Sequence, residues 1–436
     1  MVVRKYTALL IGIVAFGYYA LLSAKQWSWI FVSSDSGDWL ICANQWFLPQ
    51  AYGSPLYILL MRLIGLVTDG NATVITATIL LSCLPSAITV MLVYLIVHKL
   101  TNKLWCALTS ALVLLGCGVF LSQSTVLEEY ALAIMFPTFA YFFYIQDKRK
   151  LTALCLGLGV AVHIFILPIT VFWLVLEYKR WRLWLVPVTI FVAIGAISYS
   201  LVPILMHLDS NLTLANLWMY WTGETGAVVG TLSIFDTPVR ILSLASILLM
   251  SFGLALIPLW FGLRKPYDIK KLVLMMTMMV SLWYHLTSLD PASWTFLNFG
   301  VPSMVVLIGA GLSRLTLKHA YAVVASALAL MCINGVFLNA DVLTREHPTA
   351  VTYYNELASL PNEAVIACTG AYAFGVLYVM SEEDKNFTIL PAEEYVQRAL
   401  DEGRDVYFAG PPNKMPTFEL SNVLGYTMIR KVERTK

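Results

Sequence analysis

Two carboxylates, Asp35 and Asp38, stand three residues apart in the run Asp35-Ser36-Gly37-Asp38, directly after the first long apolar stretch of the chain. An i, i+3 pair of acids beside glycine in an aromatic-rich segment suits proton transfer. One carboxylate takes the proton of a hydroxyl, and the other orients it or binds a substrate hydroxyl. The same four residues also suit an ordinary turn or helix cap, so spacing alone leaves both readings open. Further polar groups recur downstream: Ser122, Gln123, Glu128 and Glu129 ahead of Tyr130, then Asp209, Asn211, Trp218, Tyr220, Trp221 and Glu224, then His285 and Asp290. For Glu129, Asp69 and Asp236 the simpler expectation is avoidance of lipid, where a carboxylate costs roughly 2.5–3.5 kcal/mol at a helix centre.

What must position these groups is a membrane bundle. The 436 residues are 59% hydrophobic and 12% charged, with a mean hydropathy of +0.75, more apolar surface than one water-soluble core hides. The net charge of +2 offers no basic field for nucleic acid. The cysteines, at 42, 83, 106, 117, 155, 332 and 368, lack Cys-x-x-Cys or His spacing and read as packing residues. No metal cage and no cofactor is expected.

Apolar stretches long enough to cross a bilayer as helix run over 6–22, 74–97, 104–121, 130–145, 183–205, 239–262, 272–288, 298–313 and 320–338. The first follows Arg4 and Lys5 and reads as an uncleaved span. Leu151 to Glu177 is flanked by Lys148, Arg149 and Lys150 on one side and Lys179, Arg180 and Arg182 on the other. A single crossing would export one basic cluster, so the positive-inside rule predicts two half-spans broken near Pro168. That gives about 11 transmembrane helices, a cytoplasmic N-terminus, and cytoplasmic loops holding Lys99, Lys103, Arg264, Lys265, Lys270, Lys271, Arg314 and Lys318. The acids gather in the outer loops. The first of these, Ser23 to Asn71, is too long for a connector and reads as two interfacial helices around the turn Gly53-Ser54-Pro55.

Hydropathy falls after Ala340, dividing the chain into a transmembrane domain, 1–338, and a soluble extracytoplasmic α/β domain, 339–436. Helices are expected over 353–360 and 392–401, and strands over 364–368, 388–390 and 405–409.

Several of these motifs, taken in order, resemble one family. Asp35-Ser36-Gly37-Asp38, Gly53-Ser54-Pro55-Leu56-Tyr57, Ser122-Gln123 with Glu128-Glu129-Tyr130-Ala131-Leu132, and Gly157-Leu158-Gly159 with His163 are similar in order and spacing to the O-mannosyltransferase-like GT-C glycosyltransferases, whose signature begins Asp-Ser-Gly-Glu. Tyr199 to Pro203, the stretch ending at Gly223, and Asp290 with Pro302 extend the likeness. The chain departs from that pattern at Asp38, where the family has Glu, at Gln50-Ala51-Tyr52 for His-Pro-Pro, and at Arg62 for His.

The resemblance implies a mainly α, polytopic GT-C bundle and an inverting enzyme. It moves a sugar, typically mannose, from a polyprenyl-phosphate carrier to a protein or glycan acceptor hydroxyl on the extracytoplasmic side. In that frame Asp35 looks like the general base and Asp38 its assistant. Arg62, His163 and Arg240 would stabilise the leaving phosphate, which needs cationic or N–H donors. Glu128, Tyr57, Trp218, Trp221 and Asp290 would bind sugar or acceptor.

Two rival readings remain. A broken helix pair also suits a transporter or flippase of lipid-linked sugars, although no second half repeats the first. A non-catalytic scaffold would need no paired acids.

Overall fold

The computed structural model describes residues 2–23, 39, 42–43, 54–68, 70–209, 237–287, 295–344, 355–368, 385–390, 393–409, 418–421 and 429–433. The chain divides into two compact units. One comprises Met1–Ser23, Gln50–Leu60 and Ala77–Leu338, the other Ala24–Pro49, Met61–Thr76 and Asn339–Lys436.

The larger unit is helical. Its elements begin with α1 (Val2–Ser23) and the first half of α2 (Pro55–Gly65). Helix α3 (Gly70–Thr78), which enters the larger unit only at Ala77, runs through a π-helical turn, Ile79–Cys83, into α4 (Leu84–Thr101). Then come α5 (Leu104–Gly116), α6 (Gly118–Ser124), α7 (Tyr130–Tyr144), α8 (Arg149–Val162) and α9 (Ile166–Leu176). After a 3-10 segment, Tyr178–Trp184, follow α10 (Leu185–Asp209), α11 (Thr237–Phe252), α12 (Leu256–Leu263) and α13 (Ile269–Thr287). A 3-10 turn, Thr295–Gly300, leads to α14 (Val301–Leu312), and α15 (Leu317–Thr344) closes the series.

Among the described residues five helical stretches are long and apolar enough to cross a membrane: Tyr6–Ser23, Ala72–Thr101, Tyr178–Ser198, Pro238–Leu263 and Leu317–Val336. A sixth arises if α5 and α6, bent by 65°, count as one. About 11 were expected along the whole chain, and these five or six are the ones among the described residues. Several of the expected spans are short apolar helices instead, such as Tyr130–Tyr144 and Ile166–Leu176.

The span expected over 104–121 is bent between α5 and α6. Cys117 is extended (φ −69°, ψ 114°), which frees the carbonyl of Gly116 from its helical partner. Asn334 of α15, buried in the bundle, donates its amide to that carbonyl at 2.8 Å. A side chain at Gly116 would meet the Ala327 carbonyl at 2.7 Å, so the approach of α15 requires glycine there. Helices α12 and α14 touch more closely still. A Cβ on Gly311 would lie 1.7 Å from the Pro258 carbonyl oxygen, and one on Gly262 2.1 Å from that of Leu307. Small residues let membrane helices approach backbone to backbone in this way.

The basic loops meet at one end of this unit. Tyr144, just before Lys148, donates its hydroxyl to Glu177, just before Lys179, so α9 returns to the end from which α8 departs. The two half-spans form a hairpin, as the flanking charges predicted. Its break falls at His163–Phe165, though, and not near Pro168. Pro168 lies in the first turn of α9, where the missing N–H costs nothing. At the same end Tyr141 donates to the Lys270 carbonyl (3.2 Å), Lys103 to Ser313 (2.7 Å) and Arg314 to Phe261 (3.0 Å).

In the smaller unit the expected α/β layer is present. Strands β1 (Val365–Cys368), β2 (Thr388–Leu390), β3 (Val406–Ala409), β4 (Glu419–Ser421) and β5 (Ile429–Glu433) form one sheet in the order β2-β1-β3-β5-β4. β2, β1 and β3 run parallel, and β5 and β4 add antiparallel pairs. β1 and β3 are buried along their length, as parallel strands covered on both faces must be. Helix α16 (Glu393–Asp401) packs Val396, Ala399 and Leu400 against Val365, Val406 and Phe408, while Leu357 and Leu360 cover Ile366 and Tyr407 on the other face.

Candidate active site

Opposite the basic loops, the turn between α8 and α9 delivers His163 to the start of α7. Helix α8 stops because His163 is extended (φ −152°, ψ 122°), its N–H still bonded to the Gly159 carbonyl at 2.9 Å. The ring faces Glu129, which heads α7 and is fully buried, with Nε2 3.7 Å from Oε1. That separation exceeds a hydrogen bond, so the contact is electrostatic. On the other side of the ring the backbone N–H of Phe165 donates to Nδ1 at 3.2 Å. A nitrogen that accepts a hydrogen bond carries no proton, so the imidazole is held as the neutral tautomer with its N–H on Nε2, toward the carboxylate. Glu129 in turn sits at a helix N-terminus, where the peptide dipoles favour negative charge.

Aromatic rings wall this pair. Tyr130, Phe165 and Phe299 lie 5.2, 4.9 and 5.1 Å from the imidazole centroid. Tyr284 of α13 stacks on Phe165 at 4.7 Å and 22°. Phe299 belongs to the 3-10 turn Thr295–Gly300, which is clamped from two sides. Ser281 of α13 hydrogen bonds through its hydroxyl with the carbonyls of Phe296 (2.9 Å) and Leu297 (2.7 Å) and accepts the Gly300 N–H (3.0 Å). Asn298 donates to the Val119 carbonyl of α6 at 2.9 Å. The result is a buried acid and a fixed N–H donor in a rigid aromatic surround.

The other expected residues are placed as follows. Arg240, 7% exposed near the start of α11, donates to the Leu286 carbonyl at 3.2 Å, at the end of α13 that also carries Tyr284. Glu128 is half-buried, its backbone carbonyl 3.5 Å from the Ser82 hydroxyl. Tyr57 is fully buried on α2. Arg62 belongs to the smaller unit, where its guanidinium donates to the Ala43 carbonyl at 2.9 Å. Gly65, one turn further, lies so close that a Cβ would meet the same carbonyl at 2.1 Å. Asp35, Asp38, Trp218, Trp221 and Asp290 lie outside the described residues. Among the described residues no three His, Cys, Asp or Glu side chains group as metal ligands would.

Glu129, expected merely to avoid lipid, is the carboxylate that faces His163. The available signal was position: Glu129, not Glu128, directly precedes Tyr130-Ala131-Leu132.

Residues 35–185 match the family described as the protein O-mannosyl-transferase TMEM260 N-terminal domain. Over its length the chain also superimposes on ArnT from Cupriavidus metallidurans bound to undecaprenyl phosphate, with a TM-score of 0.63 at 12% identity, covering 99% of this chain and 97% of that one. The chain has a GT-C-type fold. ArnT in the apo state gives the same coverage, with a TM-score of 0.62 at 11% identity. No curated protein sequence matches the chain. The segment that carries the family match includes Asp35, Arg62, Glu129 and His163.

Proposed function

We propose that this protein is an inverting, polyprenyl-phosphate-sugar-dependent hexosyltransferase of the GT-C type. The observation that carries the reading is the fold match along 99% of the chain to ArnT, a protein crystallised with undecaprenyl phosphate. The motif order around Asp35 and the O-mannosyl-transferase match over 35–185 support it from sequence.

In this reaction Asp35 accepts the proton of the acceptor hydroxyl. The freed oxygen attacks the anomeric carbon from the face opposite the phosphate, and the bond from that carbon to the phosphate oxygen breaks. Two negative charges must be managed, the base before transfer and the lipid phosphate after it. Arg62 and Arg240 are the full positive charges assigned to the phosphate, and Asp38 orients the acceptor. His163, held neutral by Phe165, contributes an N–H donor and is itself fixed by Glu129. Glu128, Tyr57, Trp218, Trp221 and Asp290 bind sugar or acceptor. The donor sugar is a hexose, mannose first, and the acceptor a protein Ser or Thr hydroxyl.

The gathering of Lys103, Lys148, Arg180, Lys270 and Arg314 at one end supports a cytoplasmic face there by the positive-inside rule. Glu129 and His163 then lie toward the extracytoplasmic side.

The test is purified protein with polyprenyl-phosphate-mannose and a Ser/Thr peptide, read by product mass. Transfer that disappears in Asp35→Asn supports the assignment, and unchanged turnover in that variant refutes it. Vesicle flux of the intact lipid-linked sugar without transfer would favour the flippase reading.

A further inference from the structure

At the basic end, remote from His163, a cleft of about 390 Å³ opens between the C-terminal turns of α4 and α7. Its α4 wall presents Tyr94 and His98 one helical turn apart, with Lys99 beside them and Asn102 at the left-handed cap that ends the helix. The i, i+4 spacing places Tyr94 and His98 on one face. The opposite wall is Phe142 and Gln146.

The polar groups of this wall are unspent. Tyr94 is fully buried and its hydroxyl finds no hydrogen-bond partner, and among the described residues the side chains of His98, Lys99 and Asn102 make no hydrogen bond or ion pair. The Tyr94 hydroxyl is sealed off, so the donors open to the cleft are those of Lys99 and Asn102 beside the His98 ring. Across the cleft Gln146 turns its amide onto the Phe142 carbonyl at 2.9 Å, covering the α7 terminus that would otherwise repel an anion.

No acid lines the cleft. The nearest, Asp147, is drawn toward Arg149 at 3.8 Å, and Lys103, Lys148 and Lys150 add positive charge to the surrounding loops. Leu95 and Phe142 give the same space an apolar side. Donors above and apolar walls below match one chemistry, a phosphate group carrying a hydrocarbon chain.

We propose that this cleft is a binding site for the phosphate headgroup of an anionic phospholipid, held by His98, Lys99 and Asn102. The site is independent of the transferase reading and of the proposed catalytic residues.

Native mass spectrometry of the full-length protein in detergent, titrated with phosphatidylglycerol or with zwitterionic phosphatidylcholine, tests it. Phosphatidylglycerol adducts are expected to exceed those of phosphatidylcholine, and to fall at least tenfold in the double variant His98→Ala/Lys99→Ala, the loss of about one charge-assisted hydrogen bond. Leu95→Trp, which fills the cleft without changing charge, is expected to do the same. Lys150→Ala, at the same end but outside the cleft, is expected to retain the adducts. Equal retention of both lipids, unchanged adducts in the double variant, or an equal loss in Lys150→Ala would overturn the site. Displacement of the lipid by inorganic phosphate at the same concentration would make it a free-anion site and overturn the lipid assignment. Lys99 is exposed, so Lys99→Ala alone, also expected to lower the adducts, keeps the test decisive even where the double variant or Leu95→Trp fails to fold.

Discussion

Replacing His163 with Leu removes two things at once. The Phe165 N–H loses its acceptor inside the bundle, which costs about 1–3 kcal/mol for a buried donor left unmade. Glu129, at 0% exposure, loses the N–H dipole directed at it from 3.7 Å. Two full charges at that separation would interact by about 4–5 kcal/mol at an effective dielectric of 20, so a neutral imidazole contributes a fraction of that. The expected loss is therefore about 2–4 kcal/mol, read as a lower midpoint in thermal unfolding of the detergent-solubilised protein. Coupling gives the sharper readout. Adding Glu129→Gln to His163→Leu removes the carboxylate that the imidazole faced, so the double variant should unfold later than His163→Leu alone. Losses that simply add would refute the coupling, and with it the assignment of Glu129 as the group that fixes His163.

Transfer activity should separate the neighbouring acids. Glu129→Gln is expected to lower turnover about 100-fold by releasing a positioned group, whereas Glu128→Gln stays within a few-fold, measured with saturating donor. Gly311→Ala should abolish recovery of monodisperse protein on size exclusion, because a Cβ 1.7 Å from the Pro258 carbonyl oxygen forces α12 and α14 apart, while Ala substitution at Gly195, where nothing lies within 4 Å, should not. Asn334→Leu leaves the Gly116 carbonyl without its 2.8 Å partner, and about 1–3 kcal/mol of stability should go with it, measured by thermal unfolding.

Much of this architecture was legible in the chain because membrane insertion writes itself in composition. Apolar runs marked the helices, and the basic clusters at 148–150 and 179–182 announced that α9 must return to its starting side. Where the helices break was less legible. Pro168 attracted the expected break, yet proline is harmless in a first turn, and the chain bends instead where His163 and Cys117 become extended. Those bends depend on partners remote in sequence, Asn334 for one and Glu129 for the other. Burial depth was invisible for the same reason: Glu128 and Glu129 are chemically identical neighbours, and only the position of α8 makes one of them an interior residue. In the C-terminal unit the buried parallel strands β1 and β3 stood out as continuous apolar runs. The short pair β4 and β5, mixed with charge, did not.

The contact from Asn334 to Gly116 joins positions that leave the ribosome far apart in time. While only the first half of the chain has been made, the kink at Cys117 exposes a backbone oxygen for which hydrocarbon offers no donor. That oxygen is satisfied only after α15 has been synthesised and threaded alongside. Biogenesis must then shelter an unfinished hinge through most of translation, and a nascent chain halted before α15 would present that gap to the machinery that inspects newly inserted proteins.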